Sequence, residues 1–156
     1  RQARCFFQTN PEQCYSRDTA RLLVDGLYRP FSPYNAGYNE GHAGFREQPM
    51  VVTLDFGKPV PVREAGIHCR QVTQSWVYHP MRLEVYGSND GLQFRLLDAL
   101  DVRESAENGS RWLAISGLNA ENRYVKLVAQ PITTIPFTMP GAGQKGWLFV
   151  DEVFVR

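Results

Sequence analysis

Residues 147–155 carry apolar side chains at both parities: Trp147, Phe149, Val153 and Val155 at odd positions, Leu148, Val150 and Phe154 at even ones. Successive side chains of a strand point to opposite faces, so a strand of this composition has to lie inside a sheet covered on both sides. Two acids, Asp151 and Glu152, interrupt the run. A carboxylate there needs a cation or hydrogen-bond donors to offset its lost hydration. Ahead of the strand, glycines at 141, 143 and 146 mark a shaped loop.

The rest of the chain repeats strand-length patterns between turn signals. Residues 50–56 alternate cleanly, with Met50, Val52, Leu54 and Phe56 on one face. Gly57, Lys58 and Pro59 turn the chain, and residues 60–72 supply a second strand with Ala65, Ile67 and Cys69 inward. Further strands are predicted over 81–86, 94–97 and 112–115, and over 124–129 with Val125, Leu127 and Ala129 inward; Ser-Asn-Asp-Gly at 88–91 is a hairpin signal. About seven strands, with no amphipathic helix of ordinary length, predict an all-β antiparallel sandwich. Residues 18–26 read as one short helical turn capped by Asp18 and ended by Gly26. Residues 27–49 show no period, and a loop so long in a compact domain is functional or tied down. The expected organisation is an N-terminal arm over 1–19 and one sandwich domain over 20–156.

With 156 residues, 43% of them hydrophobic, one core is the default. A net charge of +1 from 17 basic and 16 acidic residues offers no field for a polyanion, so nucleic acid is excluded as a partner. No apolar stretch approaches the roughly 20 residues of a membrane span, and no charged-then-apolar leader opens the sequence. These features imply a soluble piece processed from a longer chain. Cys5 and Cys14 either close a small loop, if their backbones approach within about 7 Å, or stay reduced. Cys69 reads as a small core residue.

Catalytic constellations are not visible. Asp151 and Glu152 are neighbours in a strand and are expected to point to opposite faces, the wrong arrangement for two carboxylates flanking a glycosidic bond. His42, His68 and His79 lack zinc-ligand spacing, and Gly-x-Ser-x-Gly is absent. The expectation is a domain without catalysis of its own.

Several motifs together carry a resemblance: Leu-Val-Asp-Gly at 23–26, Val-Thr-Leu-Asp-Phe-Gly at 52–57, Leu-Glu-Val-Tyr-Gly-Ser-Asn-Asp-Gly at 83–91 with Phe94, Arg-Tyr-Val-Lys-Leu-Val-Ala at 123–129, and residues 147–155. In this order they resemble a discoidin domain, also called coagulation factor V/VIII type C, the family that includes the family 32 carbohydrate-binding modules. The run over 140–149 is similar to modules appended to bacterial β-hexosaminidases and other glycoside hydrolases. The resemblance implies a jelly-roll sandwich, often with a structural calcium ion, that meets ligands through loops at one end.

Carried onto this chain, the calcium ligands are Asp25 and Glu152 with loop carbonyls, a hard oxygen set suited to that ion. Sugar binding needs an aromatic face and a few planar or charged groups. The loops offer Trp76, Tyr78 and His79; Tyr34, Tyr38, Asn39 and His42; and Phe137, Gln144 and Lys145. Trp112 and Trp147 are assigned to the core or a sheet face, while Arg46 and Arg70 could serve a sugar or pair with carboxylates just as well. The resulting expectation is an accessory module of a secreted or periplasmic glycoside hydrolase, extracellular or at the cell surface, with a glycan of terminal galactose or hexosamine type and the parent catalytic domain as partners. The alternatives are a structural appendage that packs on the parent without binding sugar, and adhesion to a protein or lipid surface through the tip at 136–139.

Overall fold

The computed structural model describes residues 3–12, 15, 19–29 and 41–156. Seven strands form within them: β1 (Arg4–Phe7), β2 (Ala43–Arg46), β3 (Met50–Gln71), β4 (Arg82–Ser88), β5 (Arg95–Asp101), β6 (Gly109–Gln130) and β7 (Trp147–Val155), with one α-helical turn, α1 (Thr19–Leu22), and a 3-10 turn at Thr73–Ser75. Every strand pairing is antiparallel.

The two 22-residue strands organise the molecule. β3 and β6 pair in three stretches, residues 50–55 against 124–129, 60–62 against 120–122 and 64–71 against 109–116, with a register break at each junction. At the first break Gly57 takes φ 74°, and its N–H donates to Asp55 Oδ1 over 2.7 Å. Arg123 then grips both oxygens of Asp55 at 2.9 and 3.0 Å, pinning the bend of β6 to that of β3. The first stretch carries β1 on one side and β4 and β5 on the other; the last carries β7 and then β2. Two layers thus share one continuous ladder. Between them lie Met50, Val52, Leu54, Ala65, Ile67, Cys69, Leu83, Val85, Val125, Leu127, Ala129, Leu148, Val150 and Val153, all at 2% exposure or less. Each of the larger side chains contributes about 1.5–3 kcal/mol by leaving water.

The antiparallel β-sandwich is the architecture expected, but its strands divide differently. The segments predicted at 50–56 and 60–72 are one strand, as are those at 112–115 and 124–129. β1 and β2 lie in stretches without a period; four residues are too few to display one.

β7 departs from expectation in a second way. Its register against β3 passes from His68 opposite Glu152 to Cys69 opposite Val150, so Asp151 is a bulge. A bulge inserts one residue and reverses the parity beyond it. Val153 and Val155 therefore join Leu148 and Val150 on the main core, while Phe149 and Trp147 cluster with Val72, Val77 and Tyr15. Asp151 and Glu152 both accept hydrogen bonds from the segment after α1, Asp151 from the Arg29 N–H and Glu152 from the Gly26 N–H.

Candidate functional site

β3 starts and finishes at one end of the sandwich, where the segment at 8–12, the turn at 47–49 and the loops at 72–81, 102–108 and 131–146 gather. Backbone pairing ties the loops together. The Trp147 N–H donates to Trp76 O at 2.7 Å and the Tyr78 N–H to Trp147 O at 2.9 Å, so residues 76–78 run as an extension alongside β7. Gln71, 2% exposed, works as a clamp: its amide nitrogen donates to Ser105 O and Glu107 O, and its oxygen accepts the His79 N–H.

Two of the predicted sugar contacts are buried inside this structure. Tyr78, 2% exposed, packs with Ile132 and Ile135, and its hydroxyl donates to Pro140 O at 2.8 Å. His79 lies against the Cys69 thiol, Nδ1 to Sγ 3.4 Å. Burial first, then the charges of Arg111 and the presence of His68, push the His79 imidazole down to about 4, so it is neutral at pH 7. Trp76 is half-buried beside them, with left-handed backbone at φ 61° and Gly141 against its indole. The three are brought together, chiefly as the packing that shapes the loops.

The other predicted residues spread out. Phe137 stands at the tip of its loop, 97% exposed. Gln144 is exposed, and its carbonyl accepts the Ile135 N–H. Lys145 bridges to Glu47 at 2.8 Å. His42 is buried beside Asp151 on β7, its Nε2 3.8 Å from Oδ2. Tyr34, Tyr38, Asn39 and Cys14 lie outside the described residues.

Among the described residues, two recesses open at this end. A cleft of about 160 Å³ is bordered by Gln71, Tyr78, His79, Met81, Arg103 and Met139. A wider polar groove of about 560 Å³ runs between Asn10, Glu12, Arg46, Glu47, Gln48 and Trp147. Sequence reasoning left Arg46 open between a sugar and a carboxylate partner and set Trp147 in the core or on a sheet face. The Arg46 guanidinium lies 5.4 Å from the Trp147 ring centre and 6.0 Å from that of Trp76, and its Nε donates to Lys145 O at 3.2 Å. On the outer face of the second layer, Trp112 is 41% exposed and meets Tyr28, His68 and Phe154 edge-on or tilted, a sheet-face position as assigned.

The residues expected to hold calcium lie on facing segments. Asp25 Oδ1 accepts the Leu27 N–H at 2.8 Å, and Glu152 Oε1 accepts the Gly26 N–H at 3.2 Å. Glu152 Oε2 is buried with no hydrogen-bond partner among the described residues. Its carboxyl is pushed up to about 7, by burial first and also by the neighbouring Asp25 and Asp151. An orphaned carboxylate oxygen facing a second acid fits a hard cation. Among the described residues no three His, Cys, Asp or Glu side chains converge as a metal set, so any ion there would need carbonyl oxygens too.

No family model matches the sequence, and no curated protein matches it. Solved structures do. A family 32 carbohydrate-binding module from Clostridium perfringens, in complex with GalNAc-β-1,3-galactose, matches at TM-score 0.59 and 16% identity, over 98% of this chain and 94% of that one. The C-terminal domain of a chitobiase from Bacteroides fragilis matches at 0.60 and 16%, over 98% and 93%. A putative chitobiase fragment from Bacteroides thetaiotaomicron matches at 0.61 and 14%, over 97% and 87%. The chain has the discoidin-like β-sandwich fold of family 32 carbohydrate-binding modules. Among the described residues no helix is long and apolar enough to cross a membrane.

Proposed function

We propose that this chain is a non-catalytic carbohydrate-binding accessory module of a larger secreted glycoside hydrolase, taking glycans through the loops at one end of its sandwich. One observation carries the reading: the near-complete overlay on a module in complex with a disaccharide. Other structures of the same fold support it, among them a pectin-binding module and one in complex with 4,5-unsaturated mannuronic acid. The loop end supplies the chemistry that sugars require, aromatic surfaces beside planar donors and carboxylates. Attachment to a hexosaminidase-type parent accords with the two chitobiase domains of this fold, and an extracellular or periplasmic location follows from such a parent.

A glycan array probed with the isolated chain tests the reading. Selective binding to terminal galactose or hexosamine sugars is the expected result, and a blank array would contradict it.

Calcium belongs to the same proposal. Bound by Asp25, Glu152 and nearby carbonyls, it would neutralise the acidic pair and tie the segment after α1 to β7. Its part is structural.

A second reading has one observation in its favour. Phe137, almost fully exposed on a protruding tip, suits insertion into a lipid surface. Co-sedimentation with liposomes that is lost on Phe137→Ser would favour it over sugar binding.

A further inference from the structure

The chain has three methionines. Met50 is buried in the main core, whereas Met81 and Met139 border one and the same cleft, of about 160 Å³. Met81 is 38% exposed, and Met139 is half-buried against the cluster of Tyr78, Ile132 and Ile135. His79 borders the cleft as well. A residue ahead of proline is held extended, so His79 and Met81, on either side of Pro80, stand two apart in an extended segment and lean the same way. The backbone of Met81 is fixed at both groups, its N–H donating to Gln130 O and its carbonyl accepting the Val102 N–H, each over 2.8 Å.

One nitrogen of the His79 imidazole is already occupied. Nδ1 lies 3.4 Å from the Cys69 sulfur, and the thiol has a second acceptor in Arg111 O at 3.8 Å. With the thiol turned to that carbonyl, Nδ1 carries the ring proton toward sulfur and Nε2 keeps its lone pair. Nε2 has no hydrogen-bond partner among the described residues, yet it is not sealed from solvent. Burial first, then Arg111, holds the imidazole down to about 4, so the ring stays unprotonated well into the acid range.

Two thioethers and a neutral imidazole are a soft, uncharged set of donors. Thioether sulfur selects Cu(I) among the common metal ions, and imidazole suits copper too. The set brings no negative charge, so a divalent ion would enter with its whole charge uncompensated, and a monovalent one loses less on leaving water. Arg103 and Glu104, on the same border, cancel each other. Methionine has three rotatable bonds, which lets both sulfurs close on an ion without movement of the backbone.

We propose that His79, Met81 and Met139 form a site for a soft monovalent cation, Cu(I) or its analogue Ag(I), in the cleft between the loops at 72–81 and 131–146. The bound ion ties the two loops together, whether or not the chain also takes glycans.

The test follows isotope-labelled methionine methyl resonances while a Cys5→Ser/Cys14→Ser chain is titrated with Ag(I) in chloride-free buffer; the serines remove thiols that would compete for a soft ion. The methyls of Met81 and Met139 should shift together and saturate at an equimolar ratio, and that of Met50 should stay in place, reporting an intact core. The melting temperature should rise with the ion. Met139→Leu, which conserves volume, and His79→Gln should each weaken binding about tenfold or more. Zn(II) should leave both methyls where they are. Methyls that do not respond to Ag(I), or one that moves without the other, overturn the site. Binding that survives Met139→Leu and vanishes in Cys69→Ala overturns it too, because the ion would then sit on the thiol.

Discussion

Gly141 faces the Trp76 indole so closely that a Cβ at that position would stand 2.5 Å from Cδ1 and Nε1. Two left-handed residues meet there, Gly141 at φ 81° and Trp76 at φ 61°. Gly141→Ala combines backbone strain with overpacking and is expected to cost about 2–4 kcal/mol in urea unfolding. Gly143, φ 80° with open space around it, isolates the strain, so Gly143→Ala should cost about 1–2 kcal/mol. Equal losses at both positions would mean that the indole contact contributes nothing.

His79 makes stability depend on acidity. Its folded pKa of about 4 lies below the ordinary 6.5, so the unfolded chain takes up a proton first as pH falls. The stabilisation is complete above pH 6.5 and is lost between there and about 4, with about 3 kcal/mol at stake. Denaturation midpoints across this range should fall for the parent chain and fall less for His79→Gln. Parallel curves would reject the assignment.

Asp151 is fully buried, 2.7 Å from His68 Nδ1, and it accepts the Arg29 N–H. Asp151→Ala strands both donors and should cost about 2–5 kcal/mol. A loss under about 1 kcal/mol would show that the network is replaceable by water.

If calcium occupies the seam between Asp25 and Glu152, a chelator should lower the melting temperature of the parent chain by several degrees. It should have no such effect on Glu152→Gln. An unchanged transition in the parent would reject the ion.

Alternation made the cores of β3 and β6 legible: Met50, Val52 and Leu54, and Val125, Leu127 and Ala129, are all buried. What alternation cannot carry is pairing. Nothing local distinguishes Gly57 as a bend inside a continuing strand from Gly57 as the end of one, because the difference lies in the bonds to β6. The bulge at Asp151 is likewise a relation between β7 and β3, and it moves Val153 and Val155 to the other face.

The loops were readable in part. Trp76, Tyr78 and His79 do lie together, but a sequence does not show that Pro140 O and Gln71 satisfy the polar atoms of Tyr78 and His79 and allow both to be buried. Arg46 looked like an ordinary surface cation because its neighbours, Trp76 and Trp147, are distant in the chain and meet it only through the fold.

The measurement that bears most directly on the account is a resonance-by-resonance map of the labelled chain during titration with an array-selected glycan. Saturable shifts should cluster at the loop end of the sandwich, in the turn at 47–49 and the loops at 72–81, 102–108 and 131–146. Shifts centred on the opposite end, around Gly57 and Gly117, or none with any glycan, would contradict it.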